Sequence, residues 1–117
     1  MARFPRSVYD QGDEPDARFS LANERTFLAW IRTCLALLAA GVALEALTVP
    51  VSPGLRLAAS AIFVLLGLYS AVQAWIGWAR TERSLRLGRA LPGLGGGMVI
   101  VVGVVLAVVL LVIGFLW

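Results

Sequence analysis

The sequence predicts an all-α protein that crosses a lipid bilayer three times. Of its 117 residues, 60% are hydrophobic, a share well above that of soluble domains, and the mean hydropathy is +0.87. Three stretches are apolar over about 20 residues each, the length that a helix needs to span the hydrocarbon core. These predicted spans cover roughly residues 26–47, 57–78 and 98–117. They use most of the chain and leave no room for a separate soluble catalytic domain.

The polar segment before the first span is predicted to lie in the cytoplasm. Residues 1–19 mix arginines with acidic residues and lack the apolar core of a secretory signal peptide. This low apolar content also allows disorder. Asp13 or Glu14 is placed to cap a short helix, and Ser20 or Asn23 to cap the first spanning helix.

The arginines orient the predicted transmembrane domain, residues 20–117. All ten basic residues are arginines, and nine of them fall on one side if only Arg56 lies between the first two spans. The positive-inside rule therefore predicts a multi-pass plasma (inner) membrane protein with a cytoplasmic N-terminus and an external C-terminus. Residues 48–54 hold two prolines and predict a tight external turn, with Glu45 at this boundary near Arg56.

The composition offers no site for a metal or another cofactor. The chain has one cysteine, Cys34, and no histidine, so we expect no zinc site, disulfide or thiol–imidazole pair. Glu24 and Glu45 lie about 30 Å apart along one helix, too far to act as a catalytic carboxylate pair. The net charge of +3 is modest, and membrane orientation already accounts for the arginines. We therefore expect neither an enzyme nor a nucleic-acid-binding protein.

Three arginines recur at seven-residue spacing where the first span begins. Arg18, Arg25 and Arg32 would share one face of a continuous helix, because each seven-residue step drifts by only about 20°. If this face meets an oligomer axis, the subunits form rings of positive charge that need anions, either Glu24 of a neighbour or a ligand. Alternatively, Arg32 is an interfacial anchor, since it lies about 9 Å into the span and can reach the headgroups.

A second basic segment, residues 80–97, connects the second and third spans. Four of its arginines recur every third residue, at Arg80, Arg83, Arg86 and Arg89. At this spacing they spiral around a helical extension and do not form a stripe. The segment either rests on anionic headgroups or gathers a polyanion. Its glycines resemble a phosphate-binding loop only superficially, because no Gly-Lys-Ser/Thr follows.

Small residues recur at four-residue spacing, which lets membrane helices approach closely. The pairs are Ala36 and Ala40, Ala39 and Ala43, Gly67 and Ala71, and Gly103 and Ala107. A lone three-helix protomer has little interior, so we expect a homo-oligomer that uses many of these faces. Packing within one subunit is the alternative.

Two stretches of the sequence resemble a known family. "FSLANERTFLAWIRTCLALLAAGVAL", followed by the arginine-rich "WARTERSLRLGRALP", is similar to the YidH family of small bacterial inner-membrane proteins, also called domain of unknown function 202. The resemblance covers nearly the whole chain from Ala17 onward. Its most specific part is the Asn-Glu-Arg-Thr-Phe-Leu-x-Trp motif at residues 23–30. The same motif occurs in the membrane domain of the eukaryotic vacuolar transporter chaperone complex, which makes polyphosphate and threads it across a membrane.

The resemblance to that complex implies a pentamer around a pore lined by basic residues of the first and second helices. By motif position, Arg18 stands where the pore has a basic residue six before a Glu-Arg pair. Glu24 and Arg25 match the pair, and Arg80 is similar to the arginine that closes the second helix. The polymerase domain of the complex is absent here, so the resemblance does not extend to polyphosphate synthesis.

The leading hypothesis is an oligomeric membrane protein that binds or conducts an anion such as phosphate or polyphosphate. Four arginines would face the axis of the oligomer: Arg18, Arg25, Arg32 and Arg80. The alternative is a non-conducting scaffold or accessory subunit that docks a partner protein. Its basic cytoplasmic face would consist of Arg83, Arg86 and Arg89.

Overall fold

The computed structural model describes residues 5–90 and 95–116. Every regular element within these ranges is an α-helix, and there are four: α1 (Arg6–Tyr9), α2 (Ala17–Ala46), α3 (Pro53–Leu87) and α4 (Gly95–Leu116). The last three are long and apolar enough to cross a membrane. The predicted fold class, all-α with three membrane-spanning helices, is therefore confirmed. Part of the predicted basic loop, residues 91–94, lies outside the described residues.

Helix α2 begins earlier than the predicted caps allow. Its N-cap is Asp16, whose carboxylate accepts a hydrogen bond from the backbone N–H of Arg18 at 2.9 Å. The predictions that Ser20 or Asn23 caps this helix were wrong, because both lie inside α2. The predicted short helix capped by Asp13 or Glu14 is also absent, since residues 13–16 are not helical. Several good capping residues stand in this segment, and the one adjacent to the helical run is used.

Helix α3 is longer than its predicted span and includes most of the arginine-rich stretch. Its 35 residues extend about 52 Å at 1.5 Å per residue, beyond the roughly 30 Å of a hydrocarbon core. It ends at Gly88, whose φ of 67° lies in the left-handed region that favours glycine. The predicted helical extension is therefore present. The end of the bundle where α2 begins and α3 ends is called the polar end below.

The other end of the hairpin is closed by an ion pair. Arg56 donates from Nε to a carboxylate oxygen of Glu45 at 3.3 Å and from Nη1 to the carbonyl of Val49 at 3.0 Å. The predicted proximity of Glu45 to Arg56 is confirmed. This pair ties the last turn of α2 to the first turn of α3 across the short connection.

Helix α3 lies between α2 and α4 and packs against both. Its contact with α2 is close because glycines stand at the crossing. A Cβ atom at Gly67 would lie 2.8 Å from the Leu38 side chain, and one at Gly41 would lie 2.9 Å from the carbonyl oxygen of Ser60. The Ser60 hydroxyl donates a hydrogen bond to the Gly41 carbonyl. Within the described residues, α2 and α4 do not pack directly against each other.

The small residues divide between the interior of the protomer and its outer surface. Gly103 approaches Leu66 of α3, and Ala107 is fully buried. In contrast, Ala36 and Ala39 on α2 are exposed. Packing inside one protomer therefore uses the small residues of α4, whereas those two residues of α2 remain available to a neighbour.

We expect Gly41→Ala to destabilise the bundle by about 1–3 kcal/mol, because overpacking at a close crossing forces the helices apart. The added methyl group would lie 2.8 Å from Val64 as well as against the Ser60 carbonyl. Reversible unfolding in detergent, followed by tryptophan fluorescence, measures the loss. Gly54→Ala is the matched control, since no atom lies within 4 Å of the added Cβ. An equal loss in both variants would contradict the close crossing.

Candidate functional site

A buried polar cluster joins α2 and α3 at the polar end. Asn23 and Glu82 are only 5% and 3% exposed. The Asn23 amide nitrogen donates to the Trp78 carbonyl at 3.0 Å and to Glu82 Oε1 at 3.3 Å. The Ser20 hydroxyl donates to Glu82 Oε2 at 3.2 Å. Both carboxylate oxygens of Glu82 therefore have neutral donors, as a buried carboxylate requires.

Arg86, one turn beyond Glu82, holds the N-terminal segment (residues 5–16) against the end of α3. Its buried guanidinium donates to three acceptors: the carbonyls of Tyr9 and Gln11, each at 2.8 Å, and the Glu14 carboxylate at 3.4 Å. In the opposite direction, the Arg86 carbonyl accepts from the Asp13 N–H at 2.9 Å. The chain passes so close to this carbonyl at Gly12, with a φ of +52°, that a side chain there would collide with it.

Side chains of the N-terminal segment add to this contact. Val8 is fully buried, and the Tyr9 ring packs edge-on against Trp78 with ring centroids 6.1 Å apart. The Arg83 Nε donates to the carbonyl of Ser7 at 3.2 Å. The sequence allowed disorder in this segment. Residues 5–16 are instead held against α3 by hydrogen bonds, a buried valine and an edge-on contact between aromatic rings.

The three arginines of the hypothetical docking face have different surroundings. Arg86 is 9% exposed, because it holds the N-terminal segment, and Arg83 also contacts that segment. Arg89 is exposed beyond the helix end. The structure therefore does not present all three on one free surface. A cavity of about 200 Å³ is lined by Arg83 and Arg89 together with Arg80.

Three arginines lie on the face of α2 that points away from α3. Arg25 and Arg32 follow the inward-facing Asn23 by two and nine residues, which places them about 200° and 180° around the helix. Arg18 is on the same face, as the seven-residue spacing predicts. Among the described residues, no carboxylate lies within 4.0 Å of Arg25 or Arg32. We call Arg18, Arg25 and Arg32 the outward arginine face.

The first arginine of this face differs from the other two because it has an acidic partner. Arg18 donates from Nη2 to the Asp16 carboxylate at 3.0 Å. These side-chain hydrogen bonds, together with the one from the Arg18 backbone N–H, hold the pKa of Asp16 below its usual value. Arg18 thus helps to keep the α2 N-cap ionised.

Glu24 is exposed and makes no ion pair with the arginines beside it in the described residues. It lines a surface cavity of about 280 Å³ together with Glu14 and Glu82. Its predicted pairing with an arginine of a neighbouring subunit stays a prediction.

Arg80 lies apart from the outward arginine face. It lines a cavity of about 120 Å³ between the helices, whose walls include Phe27, Trp30 and Trp78. This cavity is lined by none of the three residues of the outward arginine face. In one protomer, the four arginines predicted to face an axis therefore form two groups.

The spacing of the charged residues did not predict Glu82 as the partner of Asn23 or Arg86 as an internal residue. A signal for both was present in the sequence. Five residues recur every fourth position along α3: Ser70, Ala74, Trp78, Glu82 and Arg86. Successive members of this series lie one turn apart with a drift of only about 40° per step, and all five are buried. The apolar and small members of this series would have indicated that its two charged members face inward.

The sequence matches a family model described as domain of unknown function (DUF202) over residues 18–84. The chain is 48% identical to the inner membrane protein YidH of Escherichia coli (strain K12) over 85 residues, which are 69% of this chain and 71% of that protein. It is 44% identical to an uncharacterised protein of Mycobacterium tuberculosis (strain ATCC 25618 / H37Rv) over 80 residues, 68% of this chain and 66% of that protein. No solved structure matches the chain significantly.

We expect Arg86→Gln to release the N-terminal segment. Hydrogen bonds from a charged donor are worth about 1.5–3 kcal/mol each, so their loss makes opening of the segment at least about tenfold more frequent. Amide hydrogen exchange of residues 9–14 in a lipid nanodisc measures this opening. Arg89→Gln removes an equal charge from an exposed position and is expected to leave the protection unchanged. Unchanged protection in Arg86→Gln would show that the arginine does not hold the segment.

Proposed function

Because this chain belongs to the DUF202 family and is a multi-pass inner membrane protein, we propose that it binds anions in the membrane through the outward arginine face of α2. The observation that carries the proposal is the position of Arg25 and Arg32. Both guanidiniums point away from their own protomer and have no acidic partner among the described residues. A positive surface of this kind is available to a ligand.

The depth of Arg32 supports an anion at this face. An arginine near the centre of a membrane helix costs about 2.5–3.5 kcal/mol on insertion scales, and less where its side chain reaches the headgroups. Arg32 lies about 9 Å along the helix from Thr26, where the apolar stretch begins. A bound anion or a water-filled axis beside this face would offset the remaining cost.

Small residues below the arginines support a homo-oligomer. Ala36, Ala39 and Ala43 lie about 160–220° around α2 from Asn23, on the same side as Arg25 and Arg32. Small outward residues allow the helix of a second copy to approach closely. We infer that several copies bring their outward arginine faces together.

Such an assembly has a need for anions. Two guanidiniums about 8 Å apart at an effective dielectric constant of 20 repel each other by roughly 2 kcal/mol, and a ring contains several such pairs. Phosphate and polyphosphate are the anions suggested by the resemblance to the membrane domain of the vacuolar transporter chaperone complex. A pentamer is the assembly that the same resemblance favours. From the positive-inside rule, we expect the polar end to lie in the cytoplasm.

The scaffold function has less support from the geometry. It requires Arg83, Arg86 and Arg89 to be free for a partner protein. Arg83 and Arg86 instead donate hydrogen bonds to the N-terminal segment of the same chain. Anion binding by the α2 face is therefore the function that we retain.

We expect the double variant with Arg25→Gln and Arg32→Gln to bind polyphosphate at least about 100-fold more weakly, since two charged contacts are lost. Titration calorimetry in nanodiscs of phosphatidylcholine measures the affinity without competing anionic lipid. Arg6→Gln, an exposed arginine of α1, is the matched control. Equal affinities for the unsubstituted protein and the double variant would refute the proposal.

Conduction is a separate prediction with its own measurement. Liposomes loaded with anion-free buffer are expected to take up phosphate when they contain the protein, and Arg25→Ala is expected to reduce the rate. An uptake rate that is the same for both proteins would exclude conduction through this face and leave binding alone.

We expect Ala39→Leu to shift the protein from an oligomer to smaller species, because the larger side chain separates neighbouring copies of α2. Ala39 is exposed in the protomer, so the substitution leaves the fold of one chain intact. Native mass spectrometry counts the subunits. Ala61→Leu makes the same change at an exposed position of α3 and serves as the control. An unchanged subunit count in Ala39→Leu would place the oligomer contact elsewhere.

A further inference from the structure

Two adjoining cavities form a groove between α2 and α4 at the polar end. The smaller, of about 120 Å³, is the one that Arg80 lines, and its lining includes Gly77 and Thr81 of α3. The larger has a volume of about 300 Å³ and lies between α2 and α4. Thr26 and Trp30 line both cavities, so the two lie side by side. The groove exists because α3 separates α2 from α4.

The groove is polar at one end, which we call its mouth and which contains Arg80, and mostly apolar along the rest of its lining. Arg80 is exposed, and no carboxylate of the described residues lies within 4.0 Å of it. The lining of the larger cavity is mostly apolar, with Ala29, Gly97 and Ile100 beside Thr33. Trp30 lines both cavities and Trp78 lines the smaller one, and tryptophan is the side chain typical of the headgroup level of a bilayer.

The charged side chains that line the cavities at the mouth are all arginines. Arg80 also lines a third cavity outside the groove, of about 200 Å³, with Arg83 and Arg89. No aspartate or glutamate lines that cavity or either cavity of the groove. A phosphate at Arg80 would therefore meet guanidiniums in the lining, whereas the Glu82 carboxylate is buried behind Asn23 and lines neither cavity of the groove.

We propose that this groove binds an anionic phospholipid, with its phosphate at Arg80 and one acyl chain between α2 and α4. Basic pockets between membrane helices are where anionic lipid headgroups bind. The inference goes beyond the anion-binding function proposed above, because it involves none of the residues of the outward arginine face.

The charges of the mouth select an anionic occupant. A second copy that approached this side of the bundle without an anion between the two would bring its own arginines to Arg80. The headgroup of a zwitterionic lipid carries an ammonium group beside its phosphate, and this positive charge would be repelled by the arginines of the mouth. An anionic headgroup with an apolar chain complements both parts of the groove.

Quenching of tryptophan fluorescence by brominated lipids tests the proposal. The protein with Trp75→Phe and Trp117→Phe retains the two tryptophans of the groove, Trp30 and Trp78. We reconstitute it into vesicles that contain, at equal mole fraction, either phosphatidylglycerol or phosphatidylcholine with brominated acyl chains. We expect the relative binding constant near these tryptophans to favour phosphatidylglycerol about fivefold, as expected for one basic residue at an anionic surface.

Substitutions at the mouth separate a specific site from general attraction to the bilayer. In Arg80→Gln the relative binding constant is expected to fall to about one, whereas Arg80→Lys keeps a preference because the positive charge remains. Arg6→Gln removes a charge that lines neither cavity and is expected to leave the fivefold preference unchanged.

Three results would overturn the proposal. The first is equal quenching by both lipids in the protein with Arg80 intact, and the second is a preference that persists in Arg80→Gln. The third is absence of quenching by either lipid, which would show that no acyl chain enters the groove. The binding of polyphosphate by Arg25 and Arg32 is measured on other residues, so either proposal can fail while the other stands.

Discussion

The hydrogen bonds of Asn23 to α3 determine how the two longest helices meet. A buried amide has to satisfy its donors within the protein, and Asn23 does so with the Trp78 carbonyl and with Glu82. A shift of α3 by one turn would break both of these hydrogen bonds. The outward direction of Arg25 follows directly, because it stands two residues from a side chain that has to face α3.

The features that depend on local spacing could be predicted from the sequence. The lengths of the apolar stretches predict three spanning helices, and the seven-residue spacing predicts that Arg25 and Arg32 share a face. The role of Arg86 could not be found in this way. Its acceptors, the carbonyls of Tyr9 and Gln11, are 77 and 75 residues away in the chain. Backbone carbonyls also carry no side-chain signature, so no pattern of residue types marks them as partners.

Arginine has three different environments within this one small chain. Arg86 is enclosed by backbone carbonyls, Arg56 is paired with Glu45, and Arg25 has neither kind of partner in the described residues. Composition alone treats these residues as equivalent. Only the exposed and unpaired guanidiniums can attract a ligand, which is why the outward face of α2 and the mouth of the groove carry the two proposals.

The contact between the N-terminal segment and Arg86 has a consequence for biosynthesis. Tyr9 and Gln11 leave the ribosome long before Arg86 does, so this contact cannot form until α2 and α3 have both been synthesised. It also requires the start of the chain and the end of α3 to be on the same side of the bilayer. A chain that inserted only one of the two helices would leave its N-terminal segment unbound. Closure of this contact therefore distinguishes correctly inserted hairpins from incompletely inserted ones.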